Sequence, residues 1–134
     1  MGWQLSLEYA DLSTLLDEIG EYEQESTERR FSTLTAPDGT EWQANSPLVI
    51  ERKGNNRPLT EKTGMLQYSI DYQVLSDTAV EIGSPMAYAK TQQFGGLSYW
   101  EEYEEWWKVP PRQFIGLSRA DADHILHLTE DYLL

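Results

Sequence analysis

The stretch 63–96, TGMLQYSIDYQVLSDTAVEIGSPMAYAKTQQFGG, constrains the fold more than any other part of the chain. Ile70, Tyr72 and Val74 alternate with Asp71 and Gln73, the two-residue period of a strand with one buried face. Ser76, Asp77 and Thr78 supply a polar turn, and Ala79, Val80, Glu81 and Ile82 resume as a second strand, so an antiparallel hairpin is expected from Ile70 to Ile82. Gly83, Ser84 and Pro85 stop the return strand, because glycine weakens a strand and proline cannot donate to the ladder. From Met86 the spacing turns helical, through Ala87, Tyr88 and Ala89 to Phe94, and Gly95 and Gly96 can take the left-handed backbone that closes a helix.

What surrounds this unit is bounded by composition. A chain of 134 residues with 40% hydrophobic content suits one domain, which would bury roughly two-thirds of its unfolded surface. With no cysteine there is no disulfide and no thiolate metal site. No apolar run approaches the ~20 residues that span a bilayer, and the first residues lack the basic-then-apolar order of a signal peptide, so a soluble protein is expected. The net charge of −13 disfavours binding a nucleic-acid backbone or an anionic membrane through the bulk surface. Acid is spread unevenly: residues 1–50 hold ten acids against two bases, 51–99 five against five, and 100–134 eight against three.

At the amino end Trp3, Leu5, Leu7 and Tyr9 alternate with polar residues as a strand would, and Asp11 suits the N-cap of a following helix. Leu12, Leu15, Leu16, Ile19 and Tyr22 fall on one face of that helix, which is expected to run to Phe31. Asp17, Glu18, Glu21, Glu23 and Glu25 then take the solvated side, with Arg29 and Arg30 at the favourable carboxyl end. Ala36-Pro37-Asp38-Gly39-Thr40 is a turn by mechanism, and Trp42 has the bulk to anchor it. Ser46 before Pro47 reads as an N-cap with proline in the first helical position, giving a short helix from Pro47 to Lys53 closed by Gly54. Asn55, Asn56, Arg57 and Pro58 form a polar loop. No composition break, internal repeat or low-complexity tract divides the chain.

The segment Tyr99 to Trp107 places Tyr99, Trp100, Tyr103, Trp106 and Trp107 among four glutamates at helical spacing, and an amphipathic helix is expected. Its aromatics either pack within their own subunit or form a contact face for another protein, where tryptophan, tyrosine and arginine dominate. Arg112 and Phe114 follow directly and are candidates for the same interface, the alternative being core packing for Phe114 and a solvated or intrasubunit-paired Arg112. Gln113 to Leu117 could form a last strand. Ser118 with Asp121 resembles a capping box for a final helix whose buried face would use Ala122, Ile125, Leu126, Thr129 and Tyr132. The fold class is therefore α+β: a small antiparallel sheet including the hairpin, packed against a long N-terminal helix and a C-terminal helix.

Chemistry is sparsely provided. There is no phosphate-cradling glycine loop, no Ser or Cys nucleophile motif and no metal-ligand set. His124 and His127 offer two ligands where a metal needs more, and read as surface residues. Acid pairs such as Glu104 and Glu105 are too numerous to single out a general acid and base.

The order of short motifs carries further: Arg30-Phe31, Pro37-Asp38-Gly39-Thr40-x-Trp42, Ser46-Pro47, Lys53, Leu59-Thr60, Thr63-Gly64-x-Leu66, Ser69-Ile70, Val80-x-Ile82-Gly83, Tyr88-Ala89, Gln93-Phe94-Gly95-Gly96 and Pro111-Arg112-x-Phe114-x-Gly116. Together these resemble the phage virion morphogenesis family, the tail completion proteins of Mu-like and related tailed phages, over about residues 29–118. Gln92 stands where the family usually has histidine before Gln-Phe-Gly, so no role for that histidine is carried over.

The resemblance implies a structural protein at the head-proximal end of the tail that makes it competent to join the filled head, with no reaction and no cofactor. It would act as a homo-oligomeric ring, six-membered if it follows tail symmetry, touching tail tube and head-tail connector proteins. An acidic channel wall would let DNA pass, since like charges repel across the ~8 Å Debye length of physiological salt. Other readings are a connector component on the head side, a monomeric acidic binding module such as a nucleic-acid mimic, and a small hydrolase, the last disfavoured by the missing motifs.

Overall fold

The computed structural model describes residues 12–54, 58 and 65–134. The strand expected over 3–9, the Asp11 cap, the loop at 55–57 and the motif positions Leu59, Thr60, Thr63 and Gly64 lie outside the described residues. Helix α1 spans Ser13–Thr33, with Leu12 in the N-cap position and its carbonyl accepting from Leu16 N at 2.9 Å. It closes at Leu34 in the left-handed conformation, whose amide donates to Arg30 O at 2.7 Å. Leu15, Leu16 and Phe31 are buried as the spacing requires, but Glu23, Ser26, Thr27 and Arg30 are buried with them. Glu23, expected in solvent, is only 4% exposed: polar neighbours, described below, take the place of apolar packing along half of this face.

Helix α2, Pro47–Lys53, forms for local reasons: Ser46 Oγ accepts from Val49 N, proline opens the first turn, and Gly54 closes it in the left-handed region. A single turn α3, Met65–Tyr68, leads into the hairpin of β1, Asp71–Ser76, and β2, Ala79–Gly83. They pair antiparallel, with Tyr72 opposite Ile82 and Val74 opposite Val80. The hairpin lies on α1, where the Tyr72 ring covers Gly20. Helix α4, Ala89–Phe94, follows the turn at Met86 and ends at Gly95.

The chain departs from expectation at 99–107. Instead of a helix, β3, Gly96–Trp100, turns through one 3-10 turn at Glu101–Tyr103 and returns as β4, Glu105–Val109. Spacings of four and three between Tyr99, Tyr103 and Trp106 fit a helix, but they arise here from a hairpin whose loop falls inside the repeat. Among the described residues the sheet is thus two separate two-stranded hairpins, β1-β2 and β3-β4.

Residues 113–117 are not a strand either, for reasons that belong to the site. Helix α5, Arg119–Leu133, starts at the expected capping box: Ser118 Oγ accepts from Asp121 N at 2.9 Å and Asp121 Oδ2 accepts from Ser118 N at 3.1 Å. Its inward face differs from expectation. Ala122, Leu126 and Tyr132 are exposed, Ile125 and Thr129 half-buried, and Asp121 is the deepest residue. Polar contacts from Asp121 tie the start of this helix to α1, and Ile125, Leu128 and Thr129 are half-buried further along it. The core gathers Phe31, Trp42, Leu66, Ile70, Ala89 and Phe114, with the Phe31 ring 5.4 Å from that of Trp42 and 5.5 Å from that of Phe114. Each such buried aromatic contributes roughly 2–3 kcal/mol of transfer free energy.

Candidate functional site

Two constructions stand out: a backbone segment held by side chains, and an aromatic hairpin with two unlike faces. Among the described residues no strand lies beside the segment Arg112–Ile115, and its amides and carbonyls take other partners. Arg112 N donates to Gln92 O at 2.9 Å. Trp42 Nε1 donates to Gln113 O at 2.8 Å, and an Arg30 nitrogen to Phe114 O at 2.7 Å. Gln93 does the work of a strand edge: Oε1 accepts from Phe114 N at 2.9 Å and Ile115 N at 3.0 Å, while Nε2 donates to Ile115 O at 3.0 Å. These partners hold 113–115 in place of a strand ladder, and the chain bends at Ile115 and Gly116.

The motif positions converge on this segment. Arg30, Trp42 and Gln93 grip it, Phe31, Leu66 and Ala89 pack beneath it, and Gly116 lies against Pro37. Gly95 is held at φ 78°, and a Cβ there would meet Val109 O at 2.9 Å, so the backbone approach admits only glycine. Asp38 accepts from Thr40 N at 2.9 Å, which closes the turn at Gly39 and holds the carboxyl below its usual range. Gly83 ends β2 and half-buried Tyr88 precedes α4. Phe94 differs from the rest. It is 70% exposed at the rim of an open groove lined also by Asp38, Trp42 and Pro111.

Arg112 and Phe114, candidates for a partner surface, are 4% and 1% exposed. Arg112 Nε donates to Gln43 O at 2.8 Å and its NH2 group to Asn45 Oδ1 at 3.2 Å, so the guanidinium fastens the chain to itself. Burial lowers its pKa.

Arg30 also reaches Asp121 on α5, and Ser26 Oγ donates to the other oxygen of that carboxylate at 2.6 Å. Burial alone would raise the Asp121 pKa, but the bonds from Ser26 and Ser118 N and the Arg30 charge bring it below the usual range. Burial first, and then the neighbouring Asp121 carboxylate, push Glu23 up to about 7. Glu23 Oε1 and Thr27 Oγ1 are buried and, among the described residues, have no hydrogen-bond partner. Tyr22 stacks on His124 at 4.0 Å, and among the described residues no group of three His, Asp or Glu is placed to hold a metal.

On the aromatic hairpin the inner face closes on α2. The Arg52 guanidinium lies 3.7 Å from the Tyr103 ring centre and 5.1 Å from that of Trp100, and donates to Glu105 at 2.7 Å. Trp107 lines the same cleft. Arg52 carries no motif signal in the sequence, since its partners lie about fifty positions away. On the outer face Tyr99 and Trp106 pair across the strands with ring centres 5.3 Å apart. Of the candidate interface residues, the hairpin brings Tyr99 and Trp106 to its outside and Trp100, Tyr103 and Trp107 around Arg52.

Among the described residues no helix is long and apolar enough to cross a membrane. No curated protein matches the chain, and no solved structure does. Its sequence matches the phage virion morphogenesis family over residues 3–134, nearly its full length. The resemblance read from the motifs is thereby extended to both ends, and the chain belongs to the phage virion morphogenesis family.

Proposed function

We propose that this protein completes the head-proximal end of a phage tail and makes it competent to join the filled head. Family membership carries the reading. The buried motif positions support a structural role: Arg30, Phe31, Trp42, Leu66, Ala89 and Phe114 lie in or against the core, where they hold the chain in place. The protein acts without catalysis and without a cofactor, as a ring of identical subunits in contact with tail tube and connector proteins. A ring closes through heterologous interfaces related by rotation. With a net charge of −13 its surface repels DNA, so passage without tight binding is expected.

A phage with the gene inactivated tests this. Filled heads accumulating beside unattached tails is the expected phenotype. Empty or leaking heads with finished tails would place the protein on the head side, and normal virions would make it dispensable, as expected of an acidic binding module.

A further inference from the structure

The β3–β4 hairpin carries tyrosine and tryptophan on both of its faces. On its inner face a tyrosine, a tryptophan and a glutamate close on Arg52. The outer face offers a tyrosine and a tryptophan again, next to a turn that carries glutamates. Strand alternation and register put Leu97, Tyr99 and Trp106 together on that side, with Lys108 opposite Leu97 at the far end from the turn. Leu97 is 67% and Trp106 66% exposed, too much apolar surface to be explained by packing within the subunit. Beside them Glu101, Glu102 and Glu104 are exposed and, among the described residues, have no ion pair. Only Arg52 has its charge over a ring among the described residues.

We propose that this outer face docks a segment of another virion protein in which an apolar side chain is flanked by arginine or lysine. The apolar side chain would cover Leu97 and Trp106, and a cation would lie over the Tyr99 or Trp106 ring within reach of the turn glutamates. Cation–π attraction and opposite charge reinforce each other at such a place. The same face of a second copy suits it poorly, because that would bring the exposed turn glutamates of both copies together. The proposal rests on the role in virion assembly given above and names the kind of partner.

The test is a calorimetric titration of the full chain with three short synthetic peptides: arginine alternating with leucine, glutamate with leucine, and arginine with serine. The expected result is one-to-one binding of the arginine-leucine peptide alone. That binding should weaken by about tenfold or more in Trp106→Ser and also in the triple variant Glu101→Gln, Glu102→Gln, Glu104→Gln. It should be unchanged in Phe94→Ser, which alters an exposed aromatic elsewhere. Circular dichroism establishes folding for each variant, and the triple variant decides if Trp106→Ser fails to fold. No binding, equal binding of the arginine-serine peptide, or undiminished binding by the folded variants would overturn the proposal. So would loss of self-association in Trp106→Ser, which would make a second copy the occupant. A phage carrying Trp106→Ser that assembles at full titre sinks this face alone, whereas normal virions after complete gene inactivation sink the assembly role.

Discussion

Arg30 and Asp121 form an ion pair that is almost wholly buried, 5% and 1% exposed, between α1 and α5. It joins the two helices, and through Phe114 O the same guanidinium joins both to the core. Removing one partner strands the other charge. Asp121→Ala is therefore expected to cost about 3–5 kcal/mol of folding stability, with Arg30→Met similar and the double variant less costly than the sum of the two. Urea unfolding of the four proteins checks this, and strictly additive losses would mean the pair is not coupled.

Glu23 gives the pair a pH dependence of opposite sign to acid denaturation. Its ordinary value of 4.5 rises to about 7 in the folded chain. The folded state thus holds a proton that the unfolded state has lost, so the contribution is fully present below about 4.5 and lost as pH rises through about 7. Stability should fall across that window by on the order of 1–2 kcal/mol once solvent screening is allowed for. Glu23→Gln should flatten the slope. Asp121, with its lowered pKa, acts the other way, losing its contribution only as pH falls below the ordinary carboxylate range. Melting curves between pH 4 and pH 8 decide it, and an unchanged slope in Glu23→Gln would contradict the assignment.

Gln93 replaces a strand with one side chain, so Gln93→Leu leaves the Phe114 and Ile115 amides without partners. A loss of about 2–4 kcal/mol is expected. Hydrogen exchange should quicken first at those two amides, and protection that stays unchanged there would show that the clamp contributes nothing.

Gly20→Ala should destabilise the chain although alanine is the better helix former. The added methyl would sit 2.3 Å from Tyr72 Cδ2, near the root of the ring, where the side chain has little freedom to move away. About 1–3 kcal/mol of overpacking is expected against a gain of ~1 kcal/mol in propensity. Gly20→Ala with Tyr72→Ala should recover the propensity gain, and a melting temperature at or above the parent's in the single variant would contradict the contact.

The elements legible in the sequence are those fixed by neighbouring residues. Ser46, Pro47 and Gly54 define α2 within nine positions, Ser118 and Asp121 start α5, and alternation around the polar turn at Asp77 and Thr78 gives the first hairpin. The second hairpin was hidden because its turn carries no glycine or asparagine: Glu104 itself takes the left-handed conformation at φ 50°. Likewise 113–117 has strand-like composition, but its partners are side chains from Arg30, Trp42 and Gln93, which no local pattern announces. Glu23 looked solvated since its buried neighbours Arg30 and Asp121 are matched to it only in three dimensions. For the candidate interface the residue types were legible and the division into faces was not, because that division depends on β register and on Arg52.

The most direct measurement of the assembly role mixes extracts of a phage lacking this gene, containing filled heads and unattached tails, with the purified protein, and counts infectious particles over time. Titre is expected to rise with added protein, and incubating the protein first with the tails to speed joining, whereas incubating it first with the heads does not. A titre that stays flat with intact heads and tails present, or a gain that depends on the heads alone, would contradict that role.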